Sequence, residues 1–248
     1  QSIESPKVLR IVPSNLRGPN DEWTAIAKRA RVIFYNRSTV SKNEIRNISY
    51  ESLADEQWRG RVLIRSSSNM YNQSLVASLI AKNGEQATEA WGKSLVKNLA
   101  RKPQGNDRDQ VKAIYSGLCD VAIVNSYYIG LVLSSDKEEE RKAGESVSVF
   151  FPNQDENQRG THVNISGVAI TKNSPNKENA VRLINYLLSE DAQKTYVNNS
   201  YEYSVNPSVK PAPIVQEWGE FKKDPVDLNM LGINRGEAIR IFDKTGWK

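Results

Sequence analysis

Short runs of apolar and β-branched residues alternate with longer segments of helical periodicity along most of the chain. ARVIFYN at 30–36, GRVLIRS at 60–66, DVAIVN at 120–125, SVSVFFP at 146–152 and HVNISGVAIT at 162–171 read as strands. Between them, NQSLVASLIAKNG at 72–84, EQATEAWGKSLVKNLA at 85–100 and DRDQVKAIYSGL at 107–118 carry apolar residues at helical spacing, with Gly84 and Gly117 as stops. The segment KENAVRLINYLLSEDAQKTYVNN at 177–199 holds one or two further helices, and Val181, Leu183, Ile184, Leu187 and Leu188 form a stripe suited to a core. Such alternation predicts an α/β fold in which helices flank a sheet. At 248 residues the chain can build one large domain or two smaller ones.

Composition removes several function classes. No apolar run approaches the eighteen or so residues that span a bilayer as a helix, and the opening QSIESPKVLR has neither a basic nor an apolar leader region. The chain therefore reads as soluble, and as mature or truncated. Cys119, the sole cysteine, lies in the apolar run CDVAIV and reads as a small buried hydrophobe. A net charge of +5 and a pI near 9.1 are compatible with nucleic acid. Yet the basic residues are spread along the chain and interleaved with acids, as in KEEERK at 137–142, so no nucleic-acid partner is expected. No GxGxxG, GxxxxGK[ST], GxSxG or CxxC occurs. His162 is the lone histidine, and inside a strand-like run it suits a structural role better than a triad or a zinc site. An enzyme is not expected.

The residues that can carry chemistry are tyrosines. VNSYYIG at 124–130 ends a strand with Tyr127 and Tyr128 side by side, and GRVLIRSSSNMYNQ places Tyr71 in the same position, between a strand and the helix after it. Ligands of open α/β sheets bind at such carboxyl ends. Two readings of the three phenols stay open. They can be half-buried aromatics with local hydrogen-bond partners. Alternatively they are hard anionic oxygen donors for a trivalent metal, whose own charge lowers the phenol pKa from near 10. The loop RSSSN at 65–69 adds an alternative anion or small-solute site at a helix start, against the simpler reading of Asn69 or a serine as an N-cap.

The runs GRVLIRSSSNMYNQSLVASLIAKNG, PQGNDRDQVKAIYSGLCDVAIVNSYYIG and FFPNQDENQRGTHVNISGVAITKNSPNKENAVRLINYLLS, with the later YEYSVNPSV, together resemble the periplasmic ferric-ion-binding proteins of ABC importers, and most of all their cyanobacterial branch. The resemblance covers nearly the whole chain. It implies a two-lobed, type II periplasmic binding-protein fold with a mixed sheet and flanking helices in each lobe, and a periplasmic location. It further implies capture of Fe(III), with Tyr71, Tyr127 and Tyr128 as phenolate ligands, Arg31 offsetting their charge from behind, and a synergistic anion. The implied partner is the inner-membrane permease of an ABC transporter, served by a monomer. Leu131 stands where some members have another arginine. The lobes would comprise 1–33 with 158–208, and 34–157 with 209–248, joined by hinge strands near RVIFYN and THVNISG. Relatives carry a further N-terminal segment of about seventy residues, so the first lobe is expected to be incomplete here and to lack its ligand before hinge closure around the ion.

Overall fold

The computed structural model describes residues 1–46 and 48–248. One long strand organises it. β1 (Trp23–Asn36) runs for 14 residues, about 46 Å at a rise of about 3.3 Å per residue, well beyond an ordinary strand. Its first half pairs antiparallel with β5 (Val163–Ala169) and with the short β6 (Tyr203–Ser204), from Trp23↔Ala169 to Ala30↔Val163 and at Lys28↔Tyr203. Its second half pairs antiparallel with β3 (Val121–Asn125) and β4 (Val147–Phe150), from Arg31↔Asn125 onward, and β2 (Val62–Leu63) lies parallel to β3. The chain thus changes partners between Ala30 and Arg31. ARVIFYN marks only the second half, since the alanine-rich WTAIAKRA has weak strand propensity and is held extended by its neighbours. Between Ala25 and Ala27 the register against β5 shifts by a bulge.

Helices cover both faces of the β2-β3-β1-β4 sheet. Following α1 (Pro6–Ile11) and the short α2 (Lys42–Arg46), α3 (Met70–Asn83) and α4 (Glu85–Asn98) lie on one face. Here Ile33, Ile64, Leu75, Leu79, Leu95 and Ile123 pack with Trp58, Trp91 and Trp247. On the other face α5 (Asp107–Tyr115), α6 (Tyr127–Leu133) and α7 (Glu138–Ser146) enclose Val32, Phe34, Val111, Ile114, Val124 and Val132. A third core gathers Val8, Val12, Ala25, Ile170, Ile184, Leu188 and Val205 around the first half of β1, beneath α8 (Lys177–Leu187), which leads into α9 (Glu190–Ser200). Of the expected stripe on α8, Ile184 and Leu188 are buried whereas Leu183 is 57% exposed, because the helix presents only one narrow face to this core. The chain closes through α10 (Pro213–Gln216), α11 (Leu228–Ile233) and α12 (Arg235–Thr245), and Ala238, Ile241 and Phe242 of the last helix seal the α3–α4 face.

Burial accounts for Cys119, whose thiol is pushed up to about 12 mainly by loss of water. None of the described helices is long and apolar enough to cross a membrane.

Candidate metal centre

Two strand-to-helix turns build the site. Ile64 is the last buried residue after β2, and the polar stretch Arg65–Ser68 leads to Asn69, whose side chain caps α3 by accepting from the Tyr71 backbone N–H at 2.9 Å. Tyr71 is therefore the second residue of its helix. The other turn follows β3. Asn125 and Ser126 are buried, Ser126 already has helical dihedral angles, and α6 starts with Tyr127 itself. Successive residues diverge by 180° on a strand but by about 100° on a helix, and this lets two adjacent phenols share one side. Their rings stack with centroids 4.5 Å apart and 27° between planes. The Tyr71 and Tyr127 hydroxyls meet at 3.2 Å.

Three guanidinium groups surround Tyr71. The central carbons of Arg29, Arg31 and Arg65 lie 5.3, 5.8 and 5.2 Å from its ring centroid, within cation–π range. Arg31 is 2% exposed. It donates to Asp107 Oδ2 at 2.7 Å, to Asn72 Oδ1 at 2.8 Å and to Asn125 Oδ1 at 3.2 Å. Asp107, fully buried at the start of α5, also accepts from Arg65 at 3.2 Å and from the Asn125 backbone N–H at 2.7 Å. One carboxylate thus holds two arginines and the end of β3 together, which leaves a local excess of positive charge beside the phenols. Arg29 donates to Ser166 at 2.8 Å and lies 3.7 Å from Glu202, whose pKa is raised by burial despite that arginine.

Burial is the first cause that raises the Tyr127 pKa, followed by its hydrogen bonds to Tyr128 and Tyr71 and by their charge when ionised. Burial also raises Tyr128. In the ion-free protein these phenols are neutral. Among the described residues, no group of three or more His, Cys, Asp or Glu side chains could hold a metal ion, so the tyrosine oxygens are the hard donors on offer.

His162 and the RSSSN loop, the other polar groups marked in the sequence, make local structural contacts. His162 is buried, with Nε2 2.8 Å from Ser74 Oγ, and burial followed by the charges of Arg159, Arg31 and Arg29 keeps its pKa well below 6.5. Ser74 also accepts from Asn164 at 2.7 Å, and no carboxylate contacts His162 Nδ1 among the described residues, so the pair lacks the orienting acid of a triad. In RSSSN, Asn69 spends its acceptor on the helix cap, and Ser66 and Ser68 contact each other at 3.1 Å. Arg29, Arg65 and Asp107 went unmarked in the sequence. The only local hint of Asp107 is the capping box at Asn106–Asp109, which fixes the helix start that carries it.

Residues 3–218 match the family of bacterial extracellular solute-binding proteins. The chain belongs to this family. Across its full length this solute-binding protein is 47% identical to iron uptake protein A1 of Synechocystis, covering 68% of that protein. The solute-binding fold superposes with a TM-score of 0.95 on a Trichodesmium FutA (IdiA) protein solved with iron and citrate ligands, at 44% identity, covering 100% of this chain and 77% of the other. A ferric binding protein from Campylobacter jejuni superposes at 0.94, with 36% identity and 100% and 78% coverage. The α/β architecture read from the strand–helix alternation is the periplasmic-binding-protein architecture of these structures.

Proposed function

We propose that this protein captures Fe(III) through the phenolate oxygens of Tyr71, Tyr127 and Tyr128 and delivers it to an ABC transporter. The carrying observation is the convergence of three phenols from two helix starts, with the Tyr71 and Tyr127 oxygens 3.2 Å apart. Three phenolates balance the charge of a ferric ion, and three guanidinium groups lie within cation–π distance of the Tyr71 ring. The names of the relatives, iron uptake and ferric binding proteins, support the same cargo. Citrate in the Trichodesmium complex supports a synergistic anion as a further ligand of the ion. Arg31 acts from behind the phenols, since its two Nη groups already serve Asp107, Asn72 and Asn125.

The proposal includes two lobes, 1–33 with 158–208 and 34–157 with 209–248, which close on the ion about strands shared by both. Its support is the change of partners along β1, from β5 and β6 to β3 and β4. Closure of that kind excludes water from the metal and gives the permease a shape to recognise. We place the protein in the periplasm as a monomer that serves an inner-membrane permease and catalyses no reaction.

Loading with ferric citrate, followed by gel filtration and iron analysis, tests this reading. About one retained iron per chain at neutral pH is expected, released as acid returns protons to the phenolates. Equal retention by Tyr127→Phe, or retention unchanged at strongly acidic pH, would contradict it.

A further inference from the structure

A second concavity opens on the other face of β1. Alternation along the strand puts Arg29 and Arg31 on the side of Tyr71 and Lys28, Ala30 and Val32 on the reverse, where Tyr128 packs against the same cluster as Tyr203 and Phe221. There a cavity of about 550 Å³ is walled by Tyr203, Pro211, Val215 and Phe221, with Lys210 and Lys223 at its rim. That volume lies within the usual range for a small-molecule pocket, about 300–1,000 Å³. The apolar wall is ordered: Phe221 stacks on Phe151 at 4.2 Å with planes 4° apart, and Tyr203 meets Phe221 edge-on at 5.6 Å. The segment carrying Lys223 is pinned on both sides. Thr161 donates its N–H to the Lys222 carbonyl at 2.8 Å and accepts from Asp224 N–H at 2.9 Å. Gly160, at φ +90°, allows the close approach, since a Cβ there would come within 2.7 Å of the Lys222 oxygen.

This pocket carries more positive than negative charge, with Lys210 and Lys223 against Glu220. Among the described residues, the lining Lys210 and Lys223, and Lys28 beside them, form no salt bridge, and the buried Tyr203 hydroxyl has no hydrogen-bond partner. Lys28 lies directly across the ladder from Tyr203, so their side chains share a face. Burial first, and Lys223 second, push the Lys28 ammonium down to about 8. Glu220 is the one acid of the lining, and it is exposed. Ammonium groups without a carboxylate partner beside an aromatic wall, with Lys223 Nζ 5.9 Å from the Phe221 ring centroid, complement a flat apolar body that carries a negative charge.

We propose that this cavity binds an aromatic carboxylate, its ring against Phe221 and Pro211 and its carboxylate between Lys210 and Lys223. Tyr71, Tyr127 and Tyr128 do not line this cavity, and the proposal does not depend on the iron reading.

Calorimetric titration of the iron-free protein with 2-naphthoate is the test. Saturable binding is expected, weakened at least about tenfold, or about 1.4 kcal/mol, in a Lys210→Glu/Lys223→Glu variant whose changes fall on exposed residues. It should persist in a protein with Tyr71, Tyr127 and Tyr128 changed to Phe, and neutral 2-naphthalenemethanol should bind more weakly. No saturable heat, unchanged affinity in the charge-reversal variant, equal affinity for the neutral compound, or loss in the tyrosine variant would overturn the proposal.

Discussion

Asp107 does more at the site than its place in the sequence suggests. It lies 76 positions from Arg31 and 42 from Arg65, and no local spacing could announce that one buried carboxylate would join both to the end of β3. Its removal strands a buried guanidinium. Asp107→Ala should cost about 3–5 kcal/mol, and Asp107→Asn less, because the amide still accepts one hydrogen bond. Urea denaturation of the two variants beside the parent measures this, and equal stabilities would refute the role. The placement of the tyrosines at two strand-to-helix turns, by contrast, is legible, since each sits where an apolar run meets a helical one. The glycine of VNSYYIG has its own reason: a Cβ on Gly130 would lie 2.2 Å from the Tyr201 ring, whose hydroxyl bonds to Ser134. Gly130→Ala should cost about 1–3 kcal/mol by overpacking, read as a lowered urea midpoint with unchanged slope.

At the scale of elements, the strand–helix alternation foretold α3, α4, α5, α8 and α9, because their apolar spacing is set by one buried face. It understated β1 and overstated β2. The first half of β1 is extended by pairing with β5, a contact about 140 residues away in sequence. In β2 only Val62 and Leu63 join the ladder, since the chain then turns toward α3. The N-terminal end of β5 meets α3 through His162 and Ser74 and is tied by the His162 N–H to the Tyr50 hydroxyl, which in turn donates to the Arg31 carbonyl. An imidazole held neutral there binds its proton only after unfolding. Its stabilising effect is complete above about pH 6.5 and declines below it, by at most about 1.4 kcal/mol per pH unit. Stability measured between pH 6.5 and 5 should fall less steeply in His162→Gln than in the parent. Parallel curves would show that His162 is not the group responsible.

Across the whole molecule, two arrangements meet along β1: a core beneath α8 on its first half, and a sheet with helices on both faces on its second. The tyrosines stand near the change of partners, where a small rotation between the two parts would move groups such as Arg29 and Asn164 relative to Tyr71 while β1 stays paired on both sides. The fold class could be read from alternation alone. That one strand serves both parts could not, because register and sheet membership depend on contacts remote in sequence. The cavity behind β1 is lined by a single stretch, Tyr203 to Lys223, but its shape is set by the stacking of Phe221 on Phe151 and by the tie to Thr161, contacts remote in sequence.

The most direct measurement is a visible absorption titration of chelator-stripped protein with ferric citrate, run beside the variant with Tyr71, Tyr127 and Tyr128 all changed to Phe. A phenolate-to-iron charge-transfer band that saturates near about one iron per chain in the parent and is absent from the variant is expected, because only deprotonated phenols bind the ion. A parent that binds iron without such a band, or a variant that keeps it, would contradict the assignment of the three tyrosines.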